Sequence, residues 1–129
     1  MPAIVDQGIE EYLRGLYDDA DPVRREMEAL AQVKRFPIVG PLVGRSLIVL
    51  SRAIGARRVF ELGSGYGYSA LHFARAVGEG GSVHCTELSP ENVGLAQDFL
   101  GRAGLWNRVT YHCEEATAAL RRVGGTWDV

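Results

Sequence analysis

Two carboxylates and a run of glycines carry the chemistry in this sequence. Glu61-Leu62-Gly63-Ser64-Gly65-Tyr66-Gly67 sets an acid two residues ahead of a glycine-rich bend, and Glu87 follows 20 residues after Gly67. Glycines permit a tight turn and close approach of backbone to a ligand, while the free amides of a helix start attract an anionic group, carboxylate or phosphate. An acid about twenty residues on, at the end of the next strand, can accept both hydroxyl protons of a ribose. Together these residues describe a site for an adenosine-bearing cofactor. The bland alternative is an unliganded turn followed by a solvated strand-end carboxylate. Ser69 can add a donor or be an ordinary first-turn serine.

Position in the fold gives the motif its force. Arg57 to Leu62 reads as a short strand running into the bend, Ser69 to Val77 as a helix stopped by Gly78, and Ser82 to Glu87 as a second strand. Ser89 and Pro90 are strong helix-start signals, and that helix runs to about Ala103 before Gly104. Val109 to His112 makes a third strand and Thr117 to Val123 a short helix. Trp127-Asp128-Val129 looks like the opening of a fourth strand. Strands alternating with helices imply a doubly wound parallel sheet with right-handed crossovers, and ligands bind beyond the carboxyl ends of its strands.

The first 55 residues read as helices. Val5, Ile9, Tyr12, Leu13 and Leu16 form one stripe, interrupted by the acidic stretch Asp18-Asp19-Ala20-Asp21, with Asp21 as N-cap and Pro22 at the first helical position. Val23, Met27, Leu30 and Val33 form the next stripe, and a third helix covers Leu42 to Ile54, closed by Gly55. The expectation is one domain spanning residues 1–129, with a helical cap (1–55) and a cofactor-binding half (56–129).

Composition removes several classes. With 14 Lys+Arg against 16 Asp+Glu and a net charge of -2, nothing chain-wide calls for nucleic acid or an anionic membrane. The longest apolar run, Leu47 to Leu50, is far short of the roughly 20 residues needed to span a bilayer, and no charged-then-apolar leader is read at the N-terminus. The chain is expected to be cytoplasmic, with Cys85 and Cys113 as reduced core thiols. His72, His84 and His112 have neither triad nor metal spacing and are expected in structural or surface roles.

The glycine spacing discriminates between adenosine cofactors. A dinucleotide fingerprint wants a small residue three positions after its second glycine, and counting from Gly65 that position is Tyr68. A third glycine comes instead at Gly67. This arrangement resembles motif I of the class I S-adenosylmethionine-dependent methyltransferases. Phe36-Pro37-Ile38-Val39-Gly40-Pro41, Phe60 to Ala70 and the helical N-terminus look like the caffeoyl-CoA and catechol O-methyltransferase-like family, over essentially the whole chain.

The resemblance implies a Rossmann-like methyltransferase fold, α/β in class, here with three strands and the start of a fourth. It implies that Glu61, Gly63, Ser64, Gly65 and Ser69 surround the methionine part of S-adenosylmethionine, that Glu87 holds the ribose, and that Glu115 lies near the adenine. Val39 and Gly40 would touch the cofactor from the helical side. For Glu115 the alternative is a helix-start acid facing the dipole; Tyr66 and Tyr68 either wall the pocket or pack under the cap. The family transfers a methyl group to a hydroxyl of a small, catechol-like acceptor and commonly uses a divalent metal such as magnesium as a Lewis acid. Its metal ligands follow strands four and five, so none is expected in this chain. The chain is therefore expected to bind the cofactor without transferring methyl alone, as a piece of a longer methyltransferase or a unit of a homo-oligomer. A nicotinamide-dependent oxidoreductase fragment and a non-enzymatic oligomerising module are the alternatives.

Overall fold

The structure, a computed structural model, describes residues 4–17 and 20–129; Asp18 and Asp19 of the acidic stretch lie outside the described residues. Helices α1 (Gln7–Gly15), α2 (Pro22–Lys34) and α3 (Gly40–Ala53) come first. They are followed by β1 (Arg58–Glu61), α4 (Tyr68–Val77), β2 (Ser82–Thr86), α5 (Pro90–Arg102), β3 (Val109–His112) and α6 (Ala116–Val123). A 3-10 turn at Trp106–Arg108, for which the sequence carried no signal, leads into β3.

Local signals placed the helix starts. The Asp21 carboxylate accepts from Arg24 N at 3.2 Å with Pro22 in the first turn of α2, and Ser89 Oγ accepts from Asn92 N at 3.3 Å ahead of Pro90 in α5. Each such cap contributes about 1 kcal/mol.

All strand pairings are parallel, in the order β1-β2-β3, with Val59 beside Val83 and Val83 beside Val109. Those three valines and Cys85 pack with Leu71, Ala74 and Val77 of α4 and Leu100 of α5. Helix α4 is covered on nearly all sides, because α3 lies so close along it that a Cβ on Gly44 would come within 2.3 Å of His72 Nε2. From α2, Val23, Met27 and Ala31 join the same core, so the cap and the sheet share one interior.

The expected opening of a fourth strand lies along the edge of β1 away from β2: Asp128 N donates to Arg58 O (2.8 Å) and Phe60 N to Val129 O (3.0 Å), while the Asp128 carboxylate takes the amides of Arg57 and Arg58 and no full ladder is built. Three other expectations need correction. The stripe on α1 is not buried: Ile9, Tyr12, Leu13 and Leu16 are 42–67% exposed. Val33 is exposed likewise, and Cys113 is an exposed thiol past the end of β3, whereas Cys85 is a core residue.

Candidate functional site

The bend after β1 needs a left-handed backbone three times, at Gly63 (φ +84°), Gly65 (+52°) and Gly67 (+94°). A Cβ on Gly65 would lie 2.8 Å from the Phe36 ring, so the glycine lets the segment after α2 close down on the bend. Gly67 is the N-cap of α4 and offers no side chain to its first-turn amides, which leaves them available to an anion.

Thr86, at the end of β2, holds this bend in place. It is fully buried; its Oγ1 donates to Glu61 O (3.0 Å) and accepts from Gly63 N (2.9 Å), its carbonyl accepts from Ser64 N (2.7 Å), and its N–H donates to Ser64 Oγ (3.3 Å). Tyr111 of β3 adds a bond from its hydroxyl to Gly65 O at 3.3 Å. Sequence reasoning missed both residues, since only the register of the sheet brings them under the bend.

Glu61 sits behind the bend. One carboxylate oxygen accepts from Ser69 Oγ at 2.5 Å, and the other, Oε2, is sealed from solvent with no partner. Burial pushes the carboxyl up to about 7, against the opposing pull of the Ser69 and Ser64 hydroxyls. Glu87 directly follows β2, its N–H donating to His112 O (3.1 Å) and its Oε1 accepting from Ser89 N (2.9 Å).

A cleft of about 300 Å³ opens between the bend and the extended segment after α2. It brings together Val39, Gly63, Ser64, Gly65, Ser69 and Glu87, with Phe36, Pro37, Ile38, Tyr66 and Tyr68 completing the wall. Glu61 reaches it through Ser69, and Gly40 follows Val39 at the start of α3. Glu115 does not line this cleft: its carboxylate caps α6, accepting from Thr117 N (2.9 Å) and Ala118 N (2.8 Å). Tyr66 and Tyr68 both wall the cleft and pack, their hydroxyls donating to Met27 O (2.9 Å) and Glu28 Oε1 (2.5 Å).

No histidine borders the cleft. His72 Nδ1 donates to Tyr68 O at 2.8 Å inside the core. On the far face of the sheet, Arg122 donates to His112 Nδ1 (3.0 Å), so His112 carries its proton on Nε2 and donates it to His84 Nδ1 (3.0 Å). Among the described residues no three His, Cys, Asp or Glu side chains come together to hold a metal ion.

Comparison with known proteins gives a consistent picture. The profile of the O-methyltransferase family matches residues 24–125. A catechol O-methyltransferase from Mycobacterium tuberculosis is 32% identical over 124 residues, covering 94% of this chain and 56% of that protein. A methyltransferase structure from Geobacter sulfurreducens superimposes with a TM-score of 0.85 at 34% identity, over 91% of this chain and 62% of the other. An O-methyltransferase from Bacillus cereus, solved in complex with SAH, does so with a TM-score of 0.80 at 27% identity, over 90% and 54%. The chain spans about half the length of the curated relatives it matches.

Proposed function

The chain belongs to the O-methyltransferase family, and from that premise we propose that its cleft holds S-adenosylmethionine and that the protein passes the methyl group to a hydroxyl of a small, catechol-like acceptor. The observation that carries this reading is the pairing of a sealed, unpartnered carboxylate oxygen on Glu61 with uncapped helix-start amides on the other side of the same bend. An amino acid zwitterion needs that combination: the amides of the bend take the α-carboxylate, and Glu61, reached through Ser69, takes the charge of the α-ammonium.

Glu87 accepts from the ribose hydroxyls, held in aim by the Ser89 amide. Gly63, Ser64 and Gly65 let the backbone approach, Val39 closes the cleft from the α3 side, and Gly40, outside the lining, stands next to it at the start of α3. Glu115 drops out of the set, both its oxygens being committed to α6. When bound, the cofactor supplies an electrophilic methyl group on a sulfonium centre. The chain's part is to orient it and exclude water, because methyl transfer gains most from an aligned encounter. The SAH complex of the Bacillus cereus neighbour and the names of the catechol O-methyltransferase relatives support the cofactor and the acceptor class. The divalent metal that the family resemblance implies finds no ligand set among the described residues.

A nicotinamide dinucleotide fits less well, since bulky, buried Tyr68 occupies the position where a pyrophosphate site needs a small residue. The reading also places the protein in the cytoplasm, where Cys85 and Cys113 stay reduced, and has it self-associate through exposed apolar residues such as Val43, Leu50 and Ile54. No helix among the described residues is long and apolar enough to cross a membrane. Calorimetry tests the central point: S-adenosylhomocysteine binds at one site per chain and excess NAD does not displace it. Absence of binding, or displacement by NAD, overturns the assignment.

A further inference from the structure

A second cleft, of about 900 Å³, lies between α1 and the packed helices α2, α3 and α4, and among the described residues it shares no lining with the first. Tyr68 and Ser69 in the first turn of α4 border the cofactor cleft; Arg75 in the last turn borders this one, about 10 Å further along the axis at 1.5 Å per residue. Since α4 runs back against the direction of the strands it connects, this cleft lies toward the end of the sheet where the strands begin, away from the glycine bend.

Its lining is unusual for a chain of net charge -2. Arg24, Arg45, Arg52, Arg75 and Arg108 border it, with one acid, Asp21, among the described lining residues. Arg75 is paired with Asp21 at 2.6 Å and Arg24 with Glu28 at 2.6 Å. Arg52 and Arg108 each give a donor to the last carbonyls of α4, Arg75 O (3.4 Å) and Ala74 O (3.1 Å). That contact explains their placement but uses one of the five donors of each guanidinium. Arg45 forms no hydrogen bond or ion pair with any described residue and stands two helical turns before Arg52 on α3. The opposite wall is apolar: Leu13 and Leu16 of α1 line the cleft yet remain 42% and 66% exposed, and α1 buries none of its residues.

A recess with surplus charge of one sign and low-dielectric walls concentrates potential. We propose that this cleft binds an organic phosphate with an apolar body. Its phosphate is held by the guanidiniums of Arg45 and Arg52, which offer the paired donors that phosphate oxygens accept, and its apolar part covers Leu13 and Leu16.

The test is calorimetry on the 129-residue chain with 1-naphthyl phosphate, inorganic phosphate and 1-naphthol, with and without S-adenosylhomocysteine. Naphthyl phosphate should saturate one site, at least about tenfold more tightly than either half-molecule, whether or not the other ligand is present. The double variant R45A/R52A should weaken it about tenfold and leave naphthol unchanged. Both side chains are exposed, so the variant should keep the circular dichroism of the parent. Should it not fold, raising salt on the parent gives the same reading by weakening naphthyl phosphate and sparing naphthol. No saturable binding, equal binding of naphthol, or indifference to both the variant and salt overturns the proposal. None of these outcomes depends on whether S-adenosylhomocysteine binds.

Discussion

Glu61 is asked to do two opposed things. With its carboxyl raised from 4.5 to about 7 by burial, the ionised side chain costs the folded apoprotein about 3 kcal/mol at pH 8, where the unfolded chain would leave it in water. That cost is recovered when a cation arrives beside Oε2. Glu61→Gln keeps an acceptor for Ser69 Oγ and removes the charge. It should therefore raise the melting temperature at pH 8 while weakening S-adenosylhomocysteine binding by tenfold or more. In the parent, affinity should fall as pH drops through about 7, because the protonated carboxyl no longer pairs with the ammonium, and the variant should lose that dependence. Calorimetry between pH 6 and 8 in two buffers of different ionisation heat reads the proton directly. Unchanged affinity in the variant would remove Glu61 from the site. Gly63 offers a sharper steric check, since a Cβ there meets nothing within 4 Å and would stand in the open cleft. Gly63→Ala should cost about 1–2 kcal/mol of backbone strain at φ +84° and abolish binding without unfolding the chain.

At the scale of elements, the bend works because β2 grips it. Replacing Thr86 by valine keeps the volume but leaves Gly63 N without its partner and removes the hydroxyl's bond to Glu61 O. A loss of about 1–3 kcal/mol is expected, and with it faster amide exchange at Gly63 and weaker cofactor binding, measurable by NMR on the same sample. Equal exchange rates in both proteins would show that the strand does not hold the bend. The Thr86 contacts also mark the limit of what the sequence discloses. Strand, bend, helix and the acid at position 87 are legible because each is announced within a few residues, by the glycines at 63, 65 and 67 and by Ser89-Pro90. Thr86 under the bend, Phe36 over Gly65 and the His84–His112 pair join residues 22 to 29 positions apart, and only the parallel register and the docking of α2 create them. The stripe on α1 misled for the complementary reason: periodicity shows which face of a helix is apolar, not whether anything covers it. Glu115 shows a similar ambiguity, because an acid before a helix can serve a ligand or the helix, and here its oxygens serve α6.

For the whole molecule, these ionisations combine into a pH profile with a definite shape. All three histidines are held below their usual 6.5, first of all by burial. His84 is pushed further by His112 and Arg58, and His112 by Arg122 against the pull of Glu114. For His72, which is wholly buried, Arg75 and Arg24 push the same way while the Tyr68 carbonyl and Asp21 oppose. A group with a depressed folded pKa contributes stability above its unfolded value, and that contribution is lost as pH falls toward the folded one, at up to about 1.4 kcal/mol per pH unit per site. Glu61 acts in the opposite sense: its contribution is present at low pH and lost as pH rises through about 7. Acidifying from pH 8 should raise the melting temperature as Glu61 takes up its proton around pH 7, and below 6.5 the three imidazoles pull it the other way. Protonating His112 or His84 also breaks the Arg122–His112–His84 chain, which needs an acceptor nitrogen on each ring. The stability gap between Glu61→Gln and the parent should thus narrow as pH falls from 8 through about 7, and the variant should show only the acid decline. Melting curves on both proteins across pH 5.5 to 8 decide it; a gap that stays constant would mean that Glu61 is not buried in the apoprotein, and a variant that loses no melting temperature below pH 6.5 would mean that the histidines are not.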